Sequence, residues 1–215
     1  MNDTALTALT SFILATTAED EALANARQHA AEFGLTVPDA ITGSLLSTLA
    51  SGAATDSSAG AIAVTPAAGV VGLYLLGGLG EKGHLTCIDP ETEHQRQAKK
   101  SFQEAGYRTS AYRFLPSRPL EVMGRLANDS YQLVYGDVRP ADLRSFTEAA
   151  WPLLARGGVL VLADALLDGT IADESRKDRD TATARDTDIY LRELDDALVS
   201  RLPLGAGLTI VTKLR

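Results

Sequence analysis

The chain contains one cysteine, Cys87, so no disulfide can form within it, and its place in an apolar run reads as a buried strand position. A surplus of positive charge is also missing: 28 acidic residues against 20 basic ones give a formal net charge of −8. Proteins that gain affinity by neutralising nucleic-acid phosphates need a concentrated basic surface, so no nucleic-acid partner is expected. The three histidines, His29, His84 and His94, share neither a metal-ligand spacing nor a base-nucleophile pattern, and all three read as surface residues. A Ser-His-Asp arrangement and a Cys-His cluster are both lacking. No basic n-region precedes the short apolar piece at residues 12–14, so a secretory signal is not expected and a cytoplasmic location fits.

One apolar run needs its own test. Residues 59–80 carry no charge and are about long enough to cross a bilayer. Pro66, Gly69, Gly72, Gly77 and Gly78 divide the run into a short strand, a turn and a helix, and a spanning helix would be richer in Leu, Ile and Phe. No membrane partner is expected.

What remains is ordinary globular composition, 45% apolar and 22% charged over 215 residues, enough for one well-packed domain but cramped for two. Thr17 as a cap, acids at Glu19, Asp20 and Glu21, apolar spacing through Leu23, Ala26, Ala30 and Phe33, and a stop at Gly34 predict an amphipathic helix. A second helix follows Pro38-Asp39, with Ile41, Leu45, Leu46 and Leu49 on one side. Residues 1–52 thus form a helical lead-in to a larger unit over 53–215. From residue 58 onward short apolar runs at 61–65, 85–88, 111–115, 132–135 and 159–163 alternate with helical stretches, which implies a parallel sheet covered on both faces. Asp89 as cap and Pro90 at the first helical position open one helix, whose inner stripe is Ala98, Phe102 and Ala105 and whose stop is Gly106. Runs at 197–202 and 208–214, joined by Pro203-Leu204-Gly205-Ala206-Gly207, predict an antiparallel hairpin. Residues 168–188 show mixed charge and no core pattern, so they read as a solvated loop with a helix resuming near Ala182; a mobile cover over a site is the alternative.

In an open parallel sheet, ligands bind outside the carboxyl ends of the strands. Four turns lie there. Thr65-Pro66-Ala67-Ala68-Gly69 is small and runs straight into a helix, whose N-terminus offers free N–H donors to a ligand drawn close by the small side chains. It is not the dinucleotide fingerprint, because Thr65 or Ala67 stands where the first glycine is required. Asp89 lies 20 positions beyond Gly69 and can accept from both hydroxyls of a ribose; its plain alternative is the helix cap. Together they favour an adenosine-type ligand. Asp137 and Asp164 end the fourth and fifth strands, where they could hold a hard cation such as Mg²⁺ or be two solvated turn residues.

The order of these motifs resembles the class I SAM-dependent O-methyltransferases, in the group of the catechol and caffeoyl-CoA enzymes. The similarity runs from about residue 38 to the end, through Pro38-Asp39-Ala40-Ile41-Thr42-Gly43, the Ala63 to Gly69 turn, Thr86-Cys87-Ile88-Asp89, Tyr131-Gln132-Leu133-Val134-Tyr135-Gly136-Asp137, Leu153-Leu154-Ala155-Arg156-Gly157-Gly158, Val161-Leu162-Ala163-Asp164 and Leu202-Pro203-Leu204-Gly205-Ala206-Gly207-Leu208. It implies a seven-stranded, mainly parallel, Rossmann-like sheet with helices on both faces, and S-adenosyl-L-methionine (SAM) as cofactor. By the same resemblance the turn of Thr65, Pro66, Ala67 and Gly69 would lie against the methionine part, Asp89 would bind the ribose, Ser117, Arg118 and Pro119 would lie beside the adenine, and Thr42, Gly43 and Pro90 would also touch the cofactor. Asp137 would adjoin both cofactor and acceptor and is the candidate catalytic residue. The lead-in resembles a segment that in relatives covers the cofactor and joins subunits, which implies a homodimer.

This chain departs from the family pattern in several places. Ala63 and Thr65 stand for a glutamate and a glycine, and Pro66 for a threonine. Asp164 is followed by Ala165 instead of the asparagine that completes a metal site, leaving Asp137 and Asp164 as the tentative ligand pair. Pro140 holds the position of a lysine, Arg139 cannot replace it because guanidinium stays protonated, and Ala206 replaces an acid. The favoured expectation is methyl transfer from SAM to a hydroxyl oxygen of a small molecule. Its rivals are a non-catalytic interaction module on the same fold, motivated by the lost lysine, asparagine and acid, and a nicotinamide-dependent oxidoreductase, suggested only by the strand-helix alternation and Asp89.

Overall fold

A computed structural model describes residues 3–53 and 60–214. The seam expected after residue 52 abuts residues 54–59, which lie outside the described residues. The lead-in holds three helices, α1 (Asp3–Thr16), α2 (Glu21–Glu32) and α3 (Ala40–Ala53), of which the sequence pattern singles out only the last two. Thr17 does not cap α2. Its hydroxyl donates to the Ile13 carbonyl at 2.8 Å and closes α1 instead, while Asp20 caps α2 by accepting from the Leu23 amide at 2.8 Å. α2 then buries Ala22, Leu23, Ala26 and Ala30, the expected stripe, but Phe33 falls on the C-cap and stays exposed. Asp39 opens α3, accepting from the Thr42 amide at 2.7 Å.

The sheet has seven strands in the order β3-β2-β1-β4-β5-β7-β6. These are β1 (Gly60–Val64), β2 (His84–Ile88), β3 (Tyr112–Leu115), β4 (Tyr131–Gly136), β5 (Leu154–Leu162), β6 (Ala197–Leu202) and β7 (Leu208–Lys213). The first five pair in parallel, and β7 and β6 add antiparallel pairs at the β5 edge, as the terminal hairpin predicts. α4 (Ala68–Leu79) and α5 (Thr92–Glu104), with α2 and α3, cover one face; α7 (Leu143–Ala150) and α8 (Arg179–Arg192) lie on the other; the short α6 (Pro119–Val122) follows β3.

The uncharged run at 59–80 finds its explanation in this packing. All five residues of β1 are buried, and α4 buries Val70, Val71, Leu73, Leu75, Leu76 and Leu79. Each such Leu or Val adds about 1.5–3 kcal/mol relative to exposure. No helix among the described residues is long and apolar enough to cross a membrane.

Two boundaries differ from expectation. α5 starts at Thr92 with Glu91 as N-cap, so Pro90 sits outside the helix, exposed, because the Asp89 carboxylate is committed elsewhere. The supposed solvated loop carries a 3-10 turn over Leu167–Ala172 and then α8, capped by Asp178 at 2.9 Å from the Thr181 amide. α8 buries Thr181, Ala184, Thr187, Asp188 and Leu191, and Arg185 ties the preceding turn down through the Ile171 and Asp173 carbonyls, both at 2.7 Å.

Candidate active site

Strand register sets the site. Val64 pairs with Ile88 on one side and Gly136 on the other, so Thr65, Asp89 and Asp137 emerge next to one another at the carboxyl edge. β5 continues the row, since Gly136 pairs with Leu162, and brings Asp164 to the same edge. Thr65 stitches the row together: its hydroxyl donates to Asp137 Oδ2 at 2.9 Å and accepts from the Ala67 amide at 3.1 Å.

The turn into α4 is suited to an anionic ligand. Its N-cap, Ala67, makes no side-chain cap hydrogen bond, and although the Val70 and Val71 amides donate to the Ala67 carbonyl at 3.1 Å, the Ala68 and Gly69 amides keep their donors for something else. Gly69 has its missing side chain directed at α5, where a Cβ would lie 3.5 Å from Ala98 Cα and from Ser101 Oγ. Asp89 is buried. One of its oxygens accepts from the Glu91 amide at 3.2 Å, and the other lies 2.7 Å from His94 Nδ1. The surface reading of His94 therefore fails: its side chain is 16% exposed and is held between Asp89 and the ring of Phe33, whose centroid is 5.8 Å away. Carboxylate oxygens have two lone pairs each, so both can still accept from a ligand.

Beside this lies a cleft of about 150 Å³ bounded by Thr36–Asp39, Thr42, Tyr135, Asp137, Ala163, Asp164 and the hairpin residues Leu204, Gly205 and Leu208. Burial and the neighbouring Asp164 push the Asp137 carboxyl above its ordinary value, against the opposing pull of the Thr65 hydrogen bond. Asp164 adopts a left-handed backbone at φ 52, and its Oδ1 accepts from the Ala206 amide at 2.7 Å. Gly43 stays out of the cleft; a Cβ there would meet the Tyr74 ring at 2.1 Å, so this glycine lets α3 approach α4. Further along, Arg118 and Pro119 border an open cavity of about 710 Å³ with Val138, Arg139 and Phe146, and Ser117 immediately precedes them.

Chemically, these residues fit an adenosyl-amino acid. There is a carboxylate for vicinal hydroxyls, a set of free amides for a carboxylate, and an open cavity past β3 for a base. They do not fit a dedicated divalent cation site. Asp137 and Asp164 each have one oxygen engaged, Ala165 is buried and apolar, and among the described residues no group of three or more His, Cys, Asp or Glu is placed to hold a metal.

The comparisons agree with this arrangement. Residues 61–214 match the model of a family described as O-methyltransferase. A protein of Mycolicibacterium vanbaalenii named "Putative O-methyltransferase" is 39% identical over 190 residues, covering 88% of this chain and 83% of its own length. The chain belongs to the O-methyltransferase family.

A solved structure from Corynebacterium glutamicum shares 64% identity with this methyltransferase at TM-score 0.95, covering 98% of both chains. The O-methyltransferase TomG from Streptomyces achromogenes, solved in complex with SAM, has the same fold at TM-score 0.85 and 23% identity, covering 96% of this chain and 95% of its own. The Rossmann-like sheet implied by the motif order is thus present, and these likenesses give no support to a nicotinamide enzyme.

Sequence reasoning missed three contributors to the site of this methyltransferase. His94 had a usable signal, since a residue five positions past a strand-end acid falls on the first turn of the next helix and can reach back. Arg27 had none: from α2 it donates to the Pro38 carbonyl at 2.7 Å and the Tyr74 hydroxyl at 3.0 Å, and so fixes the loop that walls the cleft. Tyr135 looked like one more apolar strand residue.

Proposed function

We propose that this methyltransferase transfers a methyl group from SAM to a hydroxyl oxygen of a small-molecule acceptor. When bound, SAM supplies a sulfonium methyl that is already activated, so the chain's task is alignment and proton handling. Asp89, steadied by His94, accepts from the ribose hydroxyls. The free amides at the start of α4 receive the amino-acid carboxylate, with Thr42, Thr65 and Pro66 alongside, and Arg118 and Pro119 flank the base. Asp137 stands at the junction of the cofactor turn and the 150 Å³ cleft, where it accepts the proton of the hydroxyl that becomes methylated. A carboxylate with a raised proton affinity suits that task better than an exposed one.

The observation that carries this reading is the strand register that sets Thr65, Asp89 and Asp137 side by side. Titration calorimetry with SAM is the test: saturable heat in the micromolar range is expected, and no binding at high micromolar concentration would overturn the reading. Turnover on a panel of phenols, catechols and hydroxamates separates the enzyme from an interaction module that merely holds SAM. The proposal includes a cytoplasmic location, and a homodimer for which the apolar residues exposed along α1 give support.

A further inference from the structure

Tyr135, the penultimate residue of β4, is 3% exposed and borders the 150 Å³ cleft with Asp137 and Asp164. Its hydroxyl has no hydrogen-bond partner among the described residues. Unlike the Tyr112 hydroxyl, which is fully enclosed without a partner, the Tyr135 hydroxyl keeps some accessible surface, so its donor is free where the residue borders the cleft. Val37, Pro38, Leu204 and Leu208 give the cleft an apolar side, Thr36, Asp39 and Thr42 add polar atoms, and no basic side chain lines it. A cavity of roughly this size holds one aromatic ring.

We infer that Tyr135 fixes the acceptor, its O–H donating a hydrogen bond to a second oxygen on an uncharged, single-ring substrate while the first oxygen faces Asp137. The inference rests on the proposed methyl transfer. A tyrosine phenol is protonated at neutral pH, so Tyr135 has an O–H to donate. In the reaction the first oxygen bonds to the methyl carbon, the carbon–sulfur bonding pair goes to sulfur, and the hydroxyl proton passes to Asp137 and then to water. An anionic acceptor is disfavoured because Asp39, Asp137 and Asp164 all border the cleft.

The test uses Tyr135→Phe and two probes, catechol with two oxygens and phenol with one. Each is titrated calorimetrically into protein saturated with S-adenosylhomocysteine, and SAM is titrated alone. Catechol binding is expected to weaken about tenfold in the variant, the loss of one neutral hydrogen bond. Phenol binding and SAM binding should stay within about twofold, as neither ligand uses the Tyr135 hydroxyl. Equal catechol affinities, an equal loss for phenol, a loss of SAM affinity, or no catechol binding to the parent protein would each overturn the inference. Failure of SAM to bind the parent protein would instead remove the methyl-transfer reading beneath it.

Discussion

Among the side chains of the cleft, Asp137 is held under the least favourable conditions. Burial and Asp164 raise its proton affinity in the folded state above the ordinary carboxylate value of 3.8. Between that value and its folded one, the native chain binds more protons than the unfolded chain, so stability falls as pH rises through the window and stays lower at neutral pH. Below it both states are protonated and the difference vanishes. Asp137→Asn keeps an oxygen to accept from Thr65 and carries no charge. It is expected to melt above the parent at pH 7, to converge with it below about pH 3.8, and to lose at least about 100-fold in methyl transfer. Thermal unfolding against pH together with kcat checks this, and an Asn variant less stable than the parent at neutral pH would refute it. His94→Ala frees Asp89 to rotate away from the position that meets the ribose. SAM affinity measured calorimetrically should fall about tenfold, the scale of one hydrogen bond to a charged group, and an unchanged affinity would return His94 to the surface role its sequence context suggests.

The elements divide by how they bury their side chains. β1, β2 and β4 were legible because runs of Ala, Ile, Val and Leu bounded by small turns leave few alternatives in a parallel sheet, and Pro203 to Gly207 between two such runs reads directly as a hairpin. α8 was legible only as a helix resuming near Ala182, and its start at Arg179 was missed because its inner face opens on Thr181, Ala184 and Thr187, residues too small or polar to make a hydropathy stripe. The cap of α5 was misplaced for a related reason: Asp89 has the right chemistry for a cap, but its carboxylate is shared with His94, a partner that local sequence rules do not consider. The hairpin also hides a dependence between distant positions. Gly205 has φ 56, and a Cβ on it would lie 2.6 Å from Asp164 Oδ1, the oxygen that receives the Ala206 amide. Gly205→Ala should therefore cost about 1–2 kcal/mol through the left-handed backbone alone, or about 2–8 °C in melting temperature. Circular dichroism melting measures it, and a variant as stable as the parent would show that the left-handed backbone at Gly205 carries no such cost.

At the scale of the molecule, the sheet and its two helical layers account for the core, and α1 is left over. It packs against α3 yet leaves Leu6, Leu9, Phe12 and Leu14 between 40% and 65% exposed. A helix of 14 residues is marginal in water without tertiary burial of its apolar face, and clustered apolar exposure of this kind marks an interaction surface more often than a solvent face. A second copy of the chain supplies such burial with no further partner, in line with the homodimer proposed above. Light scattering should then find a particle of about twice the 22.7 kDa chain mass. Leu9→Glu combined with Phe12→Glu should reduce it to one chain while the cooperative melting of the sheet persists, because neither residue belongs to the buried core. A parent protein that scatters as a single 22.7 kDa chain would refute the assembly and leave α1 to some other contact.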